Sequence, residues 1–397
     1  SNAFIWQGYT FLNSLYKDFL DVLQDELKQV DKGKEPEKYN SQKSLVDIVQ
    51  KRYSYIQTFS NVVNSSKAFE SMASVESDIW DKQKHYLNFR NGVYDMANFE
   101  FIKHEPNHHS TFQLNYDYNQ NENDITNWLN FLNDTFNCDE EMITFTQKLC
   151  GIWATGESFQ KFVFAYGTGA NGKSVFFNAV KLILNGYEND NIREFGYANN
   201  FDVMHFSKQN AGNQQSKYSL SKLQGCRIAI GSELPPNLRL NESALKDITG
   251  GESIEAREIY GKPFTFRPQF KIAFFGNTRP TVKDNSIGFW RRFLLIPFEV
   301  TIKEENRIKM EIMLTNFWSE SSAIMNWFID GFRKYLEEGL QEPPKVIART
   351  NEFKISEDVL QQFLNDYEQS EDGRILFKDF HDDFEKNYEK FPRNKFK

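Results

Sequence analysis

Eight consecutive residues have the spacing of a phosphate-binding loop: Gly167, Thr168, Gly169, Ala170, Asn171, Gly172, Lys173 and Ser174. An apolar run precedes them and an amphipathic stretch follows, which is the strand, loop and helix context that this pattern requires. Glycines let backbone N–H groups turn toward phosphate oxygens, Lys173 reaches the terminal phosphates, and the Ser174 hydroxyl can ligate Mg²⁺. The sequence therefore predicts a site for a nucleoside triphosphate and a magnesium ion.

Kinases, GTPases and motors all share such a loop, so residues elsewhere must decide the chemistry. A buried strand at 227–231 ends in Ser232 and Glu233, and Glu233 is the candidate base and second magnesium ligand. Ser232 stands where an Asp is more usual. A further apolar strand ends at Asn277, whose amide could orient the attacking water, although an isolated Asn is more often a turn residue. We expect these side chains to lie beside the phosphate loop.

Two arginines, Arg291 and Arg292, stand at the head of another apolar strand. One of them could stabilise the transferring phosphate in a neighbouring subunit, a role worth roughly 10³ to 10⁵ in rate. Paired arginines are also commonly solvated or salt-bridged. From these residues alone both interpretations stay open.

Apolar and polar residues alternate over 254–266 across a turn that carries Tyr260, Gly261 and Lys262. This pattern predicts a β-hairpin with an aromatic ring and a cation at its tip. A lysine can pair with a phosphate, and a tyrosine can stack on a base or a sugar. An ordinary surface hairpin is the alternative.

The N-terminal part of the chain reads as mainly helical. Residues 11–30 have helical spacing, 31–43 are a polar stretch typical of a linker, and 44–75 are again helical. Residues 86–104 alternate around Asn91-Gly92, which predicts a hairpin. The segment 124–155 returns to helix, with its predicted core at Trp128, Phe131, Leu132, Phe136, Ile143 and Leu149.

From 161 to 300 short apolar runs alternate with helical stretches, which indicates an α/β core with a mostly parallel sheet. Amphipathic helices are predicted over 303–339, and Pro343-Pro344 marks a boundary. From 357 the pattern gives a helix, a short strand and a helix.

Composition limits the classes of function. A chain of 397 residues is long enough for two to four domains, and its three scattered cysteines argue against a disulfide framework or a structural zinc. The net charge of -8 argues against a surface coated with cations but leaves room for a local basic track. Ser1-Asn2-Ala3 has the form of a tag scar, and no run long enough for a signal peptide or a membrane span follows it. We therefore expect a cytoplasmic protein.

The segment 245–298, LKDITGGESIEAREIYGKPFTFRPQFKIAFFGNTRPTVKDNSIGFWRRFLLIPF, resembles the superfamily-three AAA+ helicases of mobile elements and viruses. The resemblance is strongest to the phage and plasmid primase-helicases related to those of poxviruses. NGVYDM at 91–96 and GTGANGKS at 167–174 fit the same family, so the resemblance covers roughly 80–370.

The resemblance implies a multidomain α/β fold whose centre is an AAA+ P-loop ATPase with a mostly parallel sheet. A mainly helical domain with a β-hairpin would precede this core, and a partial winged-helix domain would follow it. The expected boundaries are a tag scar, helix and linker at 1–43, the N-terminal domain at 44–155, the ATPase core at 156–300, a helical lid at 301–345 and the partial winged helix at 346–397.

For the site, the resemblance implies ATP and Mg²⁺ as cofactors. Lys173 and Ser174 would be Walker A residues, Glu233 the Walker B glutamate and Asn277 sensor 1. Arg292 would be the arginine finger, with Arg291 beside it. The hairpin at 254–267 would be the pre-sensor hairpin, and its tip, Tyr260, Gly261 and Lys262, would project into the channel of a ring and bind DNA.

The expected partners are single-stranded and forked DNA, further copies of the chain in a hexamer, and a separate primase or polymerase, with no membrane. The setting would be replication of a phage, plasmid or other mobile element in a bacterial or phage-infected cell. Three departures stand out: Ser232 replaces the first Walker B acid, residues 1–80 carry no polymerase-type catalytic domain, and the third helix of the winged helix would have to begin near Pro392.

Two other functions compete with the helicase hypothesis. One is a nucleotide-dependent DNA-binding switch, such as an origin-recognition or loader ATPase, that does not unwind processively. The other is a small-molecule P-loop kinase, which would need a substrate lid but neither the hairpin nor arginines acting on a neighbour. Unwinding of forked DNA separates the first two, and stimulation by single-stranded DNA excludes the third.

Overall fold

The structure is a computed structural model that describes residues 2–56, 80–189, 191–207, 214–232, 234–235, 238–258, 261–283, 286–358, 363 and 377–387. The chain divides into two compact units, Ser1–Ile79 and Trp80–Lys397. Within the described residues no helix is both long enough and apolar enough to cross a membrane. The candidate site lies in the second unit.

The described residues of the first unit form two helices, α1 (Asn2–Gln29) and α2 (Pro36–Ile56). They pack through four buried side chains: Leu20, Leu23, Val46 and Val49. The predicted linker at 31–43 is too long, because α2 already begins at Pro36. Its first turns are polar because they face solvent, and proline is favoured in a first helical turn. The remainder of the second helical prediction, 57–75, lies outside the described residues.

The second unit begins with a three-stranded antiparallel sheet of β1 (Tyr86–Asn88), β2 (Val93–Asp95) and β3 (Glu100–Ile102). The predicted hairpin is confirmed, since Asn88 pairs with Val93 and the turn between them contains Gly92. A Cβ on Gly92 would lie 2.7 Å from the Ile102 carbonyl oxygen. Only glycine fits this close approach between strands.

Helices α3 (Thr126–Phe136) and α4 (Glu140–Ala154) follow, which confirms the helical prediction for 124–155. Trp128, Phe131, Leu132, Phe136 and Leu149 are buried as predicted, whereas Ile143 is partly buried. These side chains join the larger of two apolar cores beside the central sheet.

From residue 162 strands alternate with helices in the predicted manner. In chain order the elements are β4 (Phe162–Tyr166), α5 (Lys173–Asn185), β5 (Tyr187–Glu188), β6 (Asn191–Ile192), β7 (Ala198–Asn200), α6 (Gln214–Ser221), β8 (Ile228–Ser232), α7 (Glu242–Gly250), β9 (Ile254–Arg257), β10 (Pro263–Phe266), β11 (Lys271–Gly276), α8 (Ile287–Trp290) and β12 (Phe293–Pro297).

Five of these strands form one parallel sheet in the order β12, β4, β11, β8, β7, which confirms the mostly parallel α/β prediction. The residues of β4 and β12 alternate between two cores: Val163 and Leu294 face one, and Phe162 and Phe293 face the other. Such burial on both faces explains the continuous apolar runs in the sequence.

The sheet is followed by α9 (Met310–Ser319), α10 (Ser321–Glu338), α11 (Pro344–Glu357) and α12 (Phe377–Asn387). Helices α9 and α10 confirm the amphipathic helices predicted before Gly339, and the start of α11 at Pro344 confirms a helix boundary at Pro343-Pro344. A short strand was predicted at 374–377, before the last helix. Phe377 instead lies in α12, and residues 374–376 are outside the described part. The expected third winged-helix element near Pro392 also lies outside it.

Candidate functional site

The phosphate loop, residues 167–174, joins the carboxyl end of β4 to the first turn of α5. Its backbone needs glycine at two positions, since Gly169 has φ 116° and Gly172, the N-cap of α5, has φ 81°. A Cβ on Gly167 would lie 2.1 Å from Asn171 Nδ2 and 2.3 Å from the Phe298 carbonyl oxygen. The glycines thus permit both the curvature of the loop and its tight contact with the chain after β12.

Lys173 is the buried cation of the loop. Its side chain is 4 % exposed, and Nζ donates to the Gly167 carbonyl oxygen at 2.8 Å and to Asn171 Oδ1 at 2.7 Å. Burial lowers the pKa of Lys173 to about 8. A phosphate group placed beside this amine would favour its charged form, because opposite charges raise the pKa of a lysine.

A cleft of about 530 Å³ opens over the loop. It is lined by residues 169–175 of the loop and helix and, opposite them, by Leu234, Phe275, Gly276, Asn277 and Thr278. Asn277 therefore lies across the cleft from the loop, as the sequence predicts. This follows from the sheet order, because β11 lies directly beside β4.

In the sequence, the predicted acid directly follows β8, the next strand of the sheet. Ser232 ends β8, pairs with Phe275 of β11 and is exposed. Glu233 lies outside the described residues. Just beyond it, the Leu234 carbonyl oxygen accepts a hydrogen bond of 2.8 Å from Thr278 Oγ1, which ties the turn of Asn277 to the chain after β8.

The residues present fit a magnesium–triphosphate ligand. The loop supplies a glycine cradle, a buried cation at Lys173 and an exposed Ser174 that lines the cleft. A helix N-terminus with these features binds anions through its N–H groups and its dipole. Ser174 would be a ligand of the metal, and the residue after β8 is the expected second one.

Arg291 and Arg292 lie at the amino ends of the parallel strands, whereas the cleft lies at their carboxyl ends. They precede β12, whose Phe293 pairs with Phe162 at the start of β4, whereas the loop leaves the end of β4. Four residue-to-residue steps along β4, about 13 Å, separate these two ends of the strand. Arg292 Nη1 donates to the Gly288 carbonyl oxygen at 2.7 Å, and Arg291 is exposed. The structure does not bring either arginine to the phosphate loop of its own chain.

The predicted hairpin is present: β9 and β10 pair in antiparallel register from Arg257 with Pro263 to Ile254 with Phe266. Lys262 is exposed in the turn, and Gly261 N–H donates to the Glu258 carbonyl oxygen at 3.0 Å. Tyr260 lies outside the described residues. A second cation, Arg257, is also exposed here, and its Nε donates to the Gly261 carbonyl oxygen at 2.9 Å.

Sequence reasoning missed the contacts that two residues near the cleft make. The Arg279 guanidinium lies 4.5 Å from the centre of the Tyr166 ring and 5.7 Å from that of Phe353, so it joins the turn after β11 to the end of β4 and to α11. No sequence pattern marks these partners. Asn171 was predicted as one of the eight loop residues, but the sequence did not indicate that its side chain is 3 % exposed and bonded at both ends.

Two family models match the chain. Residues 4–137 match the family described as D5 N terminal like, and residues 165–292 match a family of unknown function, DUF5906.

Curated relatives that match the chain come from viruses. A protein of Acanthamoeba polyphaga mimivirus whose name is "Putative helicase" is 28 % identical over 72 % of this chain and 31 % of its own length. A protein of Invertebrate iridescent virus 6 with the same kind of name is 25 % identical over 80 % of this chain and 36 % of its own length. The chain thus spans about a third of the length of these two relatives.

Among solved structures, the apo A form of the NrS-1 C-terminal region aligns with a TM-score of 0.39 at 15 % identity, over 64 % of this chain and 58 % of that one. Another apo structure of the same region gives 0.41 at 13 % identity, over 74 % and 81 %. These sequence matches agree with the resemblance carried by the residues themselves: the N-terminal part of the chain is similar to the family described as D5 N terminal like, and most of the chain is similar to viral proteins named putative helicases.

Proposed function

We propose that this chain is the motor of a superfamily-three AAA+ DNA helicase that hydrolyses ATP with Mg²⁺ and works as a hexameric ring on single-stranded DNA. One observation gives the proposal its main support: the phosphate loop lies at the carboxyl ends of the parallel strands, and Arg291 and Arg292 lie at their amino ends. A second copy of the chain could place its two arginines against the cleft of the first. Repetition of such a head-to-tail contact gives a ring when six equal rotations between neighbouring copies complete a full turn.

Hydrolysis needs a held phosphate, an oriented water and stabilised charge. Lys173 and the loop N–H groups would bind the phosphates, and Ser174 would help to hold the Mg²⁺ that supplies charge neutralisation. Asn277 lies across the cleft, where its amide would orient the water that Glu233 deprotonates. The neighbour's Arg292 would stabilise the charge that develops on the terminal phosphate, with Arg291 beside it.

Movement along DNA would rest on the β9–β10 hairpin. The chain has a net charge of -8, so general attraction cannot hold a polyanion, and binding must come from concentrated cations. Each subunit would contribute one Lys262, which lies at the exposed tip with Gly261 and Tyr260 beside it in the sequence. Together these lysines would form a ring of cations that binds the phosphates of DNA. The relatives' names support a helicase. The proposal includes a role in replication of a mobile element, beside a separate primase or polymerase.

Mixing two inactive variants tests the shared site. Arg292→Ala should bind ATP but lose hydrolysis, and Lys173→Ala should lose hydrolysis because the phosphates lose their cation. In a randomly mixed ring, about a quarter of the interfaces pair an intact loop with an intact finger. We expect ATPase activity to return in the mixture, measured as phosphate release after mass measurement has shown that the variants co-assemble. No recovery in a co-assembled mixture would overturn the shared site.

The alternative functions are separated by two assays on the unaltered chain. We expect single-stranded DNA to stimulate its ATPase and forked DNA to be unwound. Stimulation without unwinding would favour the nucleotide-dependent switch, and an ATPase indifferent to DNA would favour a kinase or another small-molecule enzyme.

A further inference from the structure

The side chain of Asn171 connects the loop lysine to the chain after β12. Its Oδ1 accepts from Lys173 Nζ at 2.7 Å, and its Nδ2 donates to the Phe298 carbonyl oxygen at 2.9 Å. At 3 % exposure, this amide has both ends satisfied by protein groups. Gly167 leaves the room for it, since a Cβ there would lie 2.1 Å from Asn171 Nδ2.

The same segment after β12 makes two more hydrogen bonds, one to the end of β4 and one to the loop. Phe298 N–H donates to the Tyr166 carbonyl oxygen at 2.8 Å, and Ile302 N–H donates to the Ala170 carbonyl oxygen at 2.8 Å. Among these three links, only that of Asn171 also contacts the group that binds phosphate. The Asn171 link therefore depends on where the lysine points.

Strand β12 links this segment to the amino ends of the parallel strands, where Arg292 lies. All five of its residues are buried, it pairs with β4 along its length, and its outer Leu295 N–H donates to Thr350 Oγ1 of α11 at 3.1 Å. At its start, the Arg292 carbonyl oxygen accepts from Phe162 N–H at 2.8 Å. A close-packed interior has low compressibility and transmits strain, so β12 offers a path from Phe298 to Arg292.

We propose that Asn171 is a positioning residue that couples the phosphate loop of one subunit to the arginine finger which that subunit offers to its neighbour. The inference rests on the proposed function, because it needs a finger that acts across an interface. Phosphate oxygens compete with Asn171 Oδ1 for the Lys173 ammonium. Once the ammonium turns to phosphate, the asparagine amide keeps only its bond to Phe298, and the end of β12 is released from the lysine. Binding of ATP to one subunit thus sets the position of the arginine finger that this same subunit offers to its neighbour.

The coupling must be separated from a plain structural role of Asn171 in its own loop. Two variants differ in which bond they keep. Asn171→Ala removes both bonds. Asn171→Asp keeps an acceptor for Lys173 but has no donor for the Phe298 carbonyl oxygen. Asn178→Ala is the matched control, since Asn178 of α5 donates to the Ser174 carbonyl oxygen at 2.8 Å and makes no described bond to β12.

The experiment uses subunits that can only donate a finger. Arg292→Ala chains, which keep an intact loop, are mixed with Glu233→Gln chains, which keep Lys173, ATP binding and an intact finger, and the recovered ATPase is the reference. The second partner is then replaced by a chain that carries both Glu233→Gln and Asn171→Ala, or Glu233→Gln and Asn171→Asp. Because the site of this partner already hydrolyses ATP very slowly, any further loss arises from its finger.

We expect the recovered ATPase to fall about 2- to 12-fold with either Asn171 substitution, the effect of losing one neutral hydrogen bond. Glu233→Gln with Asn178→Ala should recover as much as the reference. Circular dichroism and mass measurement would show that each chain folds and co-assembles. Unchanged recovery with both Asn171 substitutions would overturn the coupling and leave the shared site intact, whereas no recovery in the reference mixture would overturn the proposed function itself.

A second readout uses Asn171→Asp alone in a uniform ring. Coupling predicts that its turnover falls further than the anchoring of ATP alone can explain, so that activity stays low when ATP is saturating. A merely local role predicts a weaker affinity for ATP with turnover restored at saturation. Restored turnover would count against the coupling.

Discussion

The affinity for ATP should fall as the pH rises from 7 to 9, because of the state of Lys173. Burial lowers the pKa of this lysine to about 8, so the ligand-free protein loses the proton within this range. Triphosphate binding needs the ammonium, since a neutral amine neutralises no phosphate charge. Phosphate oxygens around the amine raise its pKa again, so ATP binding must take up a proton.

The size of the effect follows from that pKa. With a pKa of about 8, the protonated fraction of Lys173 is about 0.9 at pH 7, about 0.5 at pH 8 and about 0.1 at pH 9. If the bound amine stays charged, ATP binding takes up about 0.1, 0.5 and 0.9 protons per site at these three pH values. Affinity should therefore fall about tenfold between pH 7 and pH 9.

Calorimetric titration with a non-hydrolysable ATP analogue and Mg²⁺ measures both quantities. Repeating the titration at pH 8 in buffers of different ionisation enthalpy gives the number of protons taken up. Lys173→Arg is the matched control, since a guanidinium keeps its charge throughout this range and should show neither proton uptake nor the fall in affinity. An uptake near zero at pH 8 in the unaltered protein would refute the argument.

The same pKa shift has a signature in stability. The pKa of Lys173 is lower in the folded chain than the ordinary 10.5 of an unfolded one, so the unfolded state binds more protons between about pH 8 and 10.5. The contribution of this residue to the free energy of unfolding must therefore rise with pH across that window. The difference in stability between the unaltered protein and Lys173→Met, measured by urea unfolding at several pH values, should follow this direction.

Three further predictions concern other parts of the chain. Glu233→Gln should bind ATP but hydrolyse it about 10²- to 10⁴-fold more slowly, because the amide cannot accept a proton; normal turnover in single-turnover assays would assign the base to another acid. Lys262→Ala should weaken binding to single strands of any sequence, lower the salt slope of affinity by about one per contact and stop unwinding while DNA-independent ATPase remains, whereas an exposed Lys354→Ala should not; unwinding at the parent rate would remove the hairpin tip from the mechanism. Gly331→Ala should lower the free energy of unfolding by about 1–3 kcal/mol in thermal melts, because its added Cβ would lie 2.1 Å from a carbonyl oxygen of α4, while Gly250→Ala, with no atom within 4 Å, should not; equal melting temperatures would contradict this packing argument.

The central sheet could be predicted because its signals are local. Each buried parallel strand is an apolar run bounded by turn residues, and the phosphate loop has fixed spacing. The opposed positions of Lys173 and Arg292 were also implicit in the sequence, since one follows a parallel strand and the other precedes one. The start of α2 was missed, because a solvent-facing first turn and a linker have the same polar composition.

The contacts that set the fine geometry of the site could not be predicted. Asn171 bonds to the Phe298 carbonyl oxygen 127 residues away, and Arg279 packs on Tyr166 and Phe353 from three different segments. Backbone acceptors and ring faces carry no sequence signature, because every residue has a carbonyl group. Such partners become visible only when the tertiary fold brings them together.

The uniform burial of β12 has a consequence for which changes in length the chain can tolerate. A strand with one apolar and one polar face resists slipping by a residue, since slipping would turn its apolar face to water. β12 has no such preference, because all five residues are buried. Its alignment with β4 is instead fixed at its two ends, where Phe162 N–H meets the Arg292 carbonyl oxygen and Phe298 N–H meets the Tyr166 carbonyl oxygen. Inserting or deleting one residue within β12 would leave the strand apolar but break one of these two hydrogen bonds. Related sequences should therefore vary freely in the identity of the apolar residues in this strand and very little in their number.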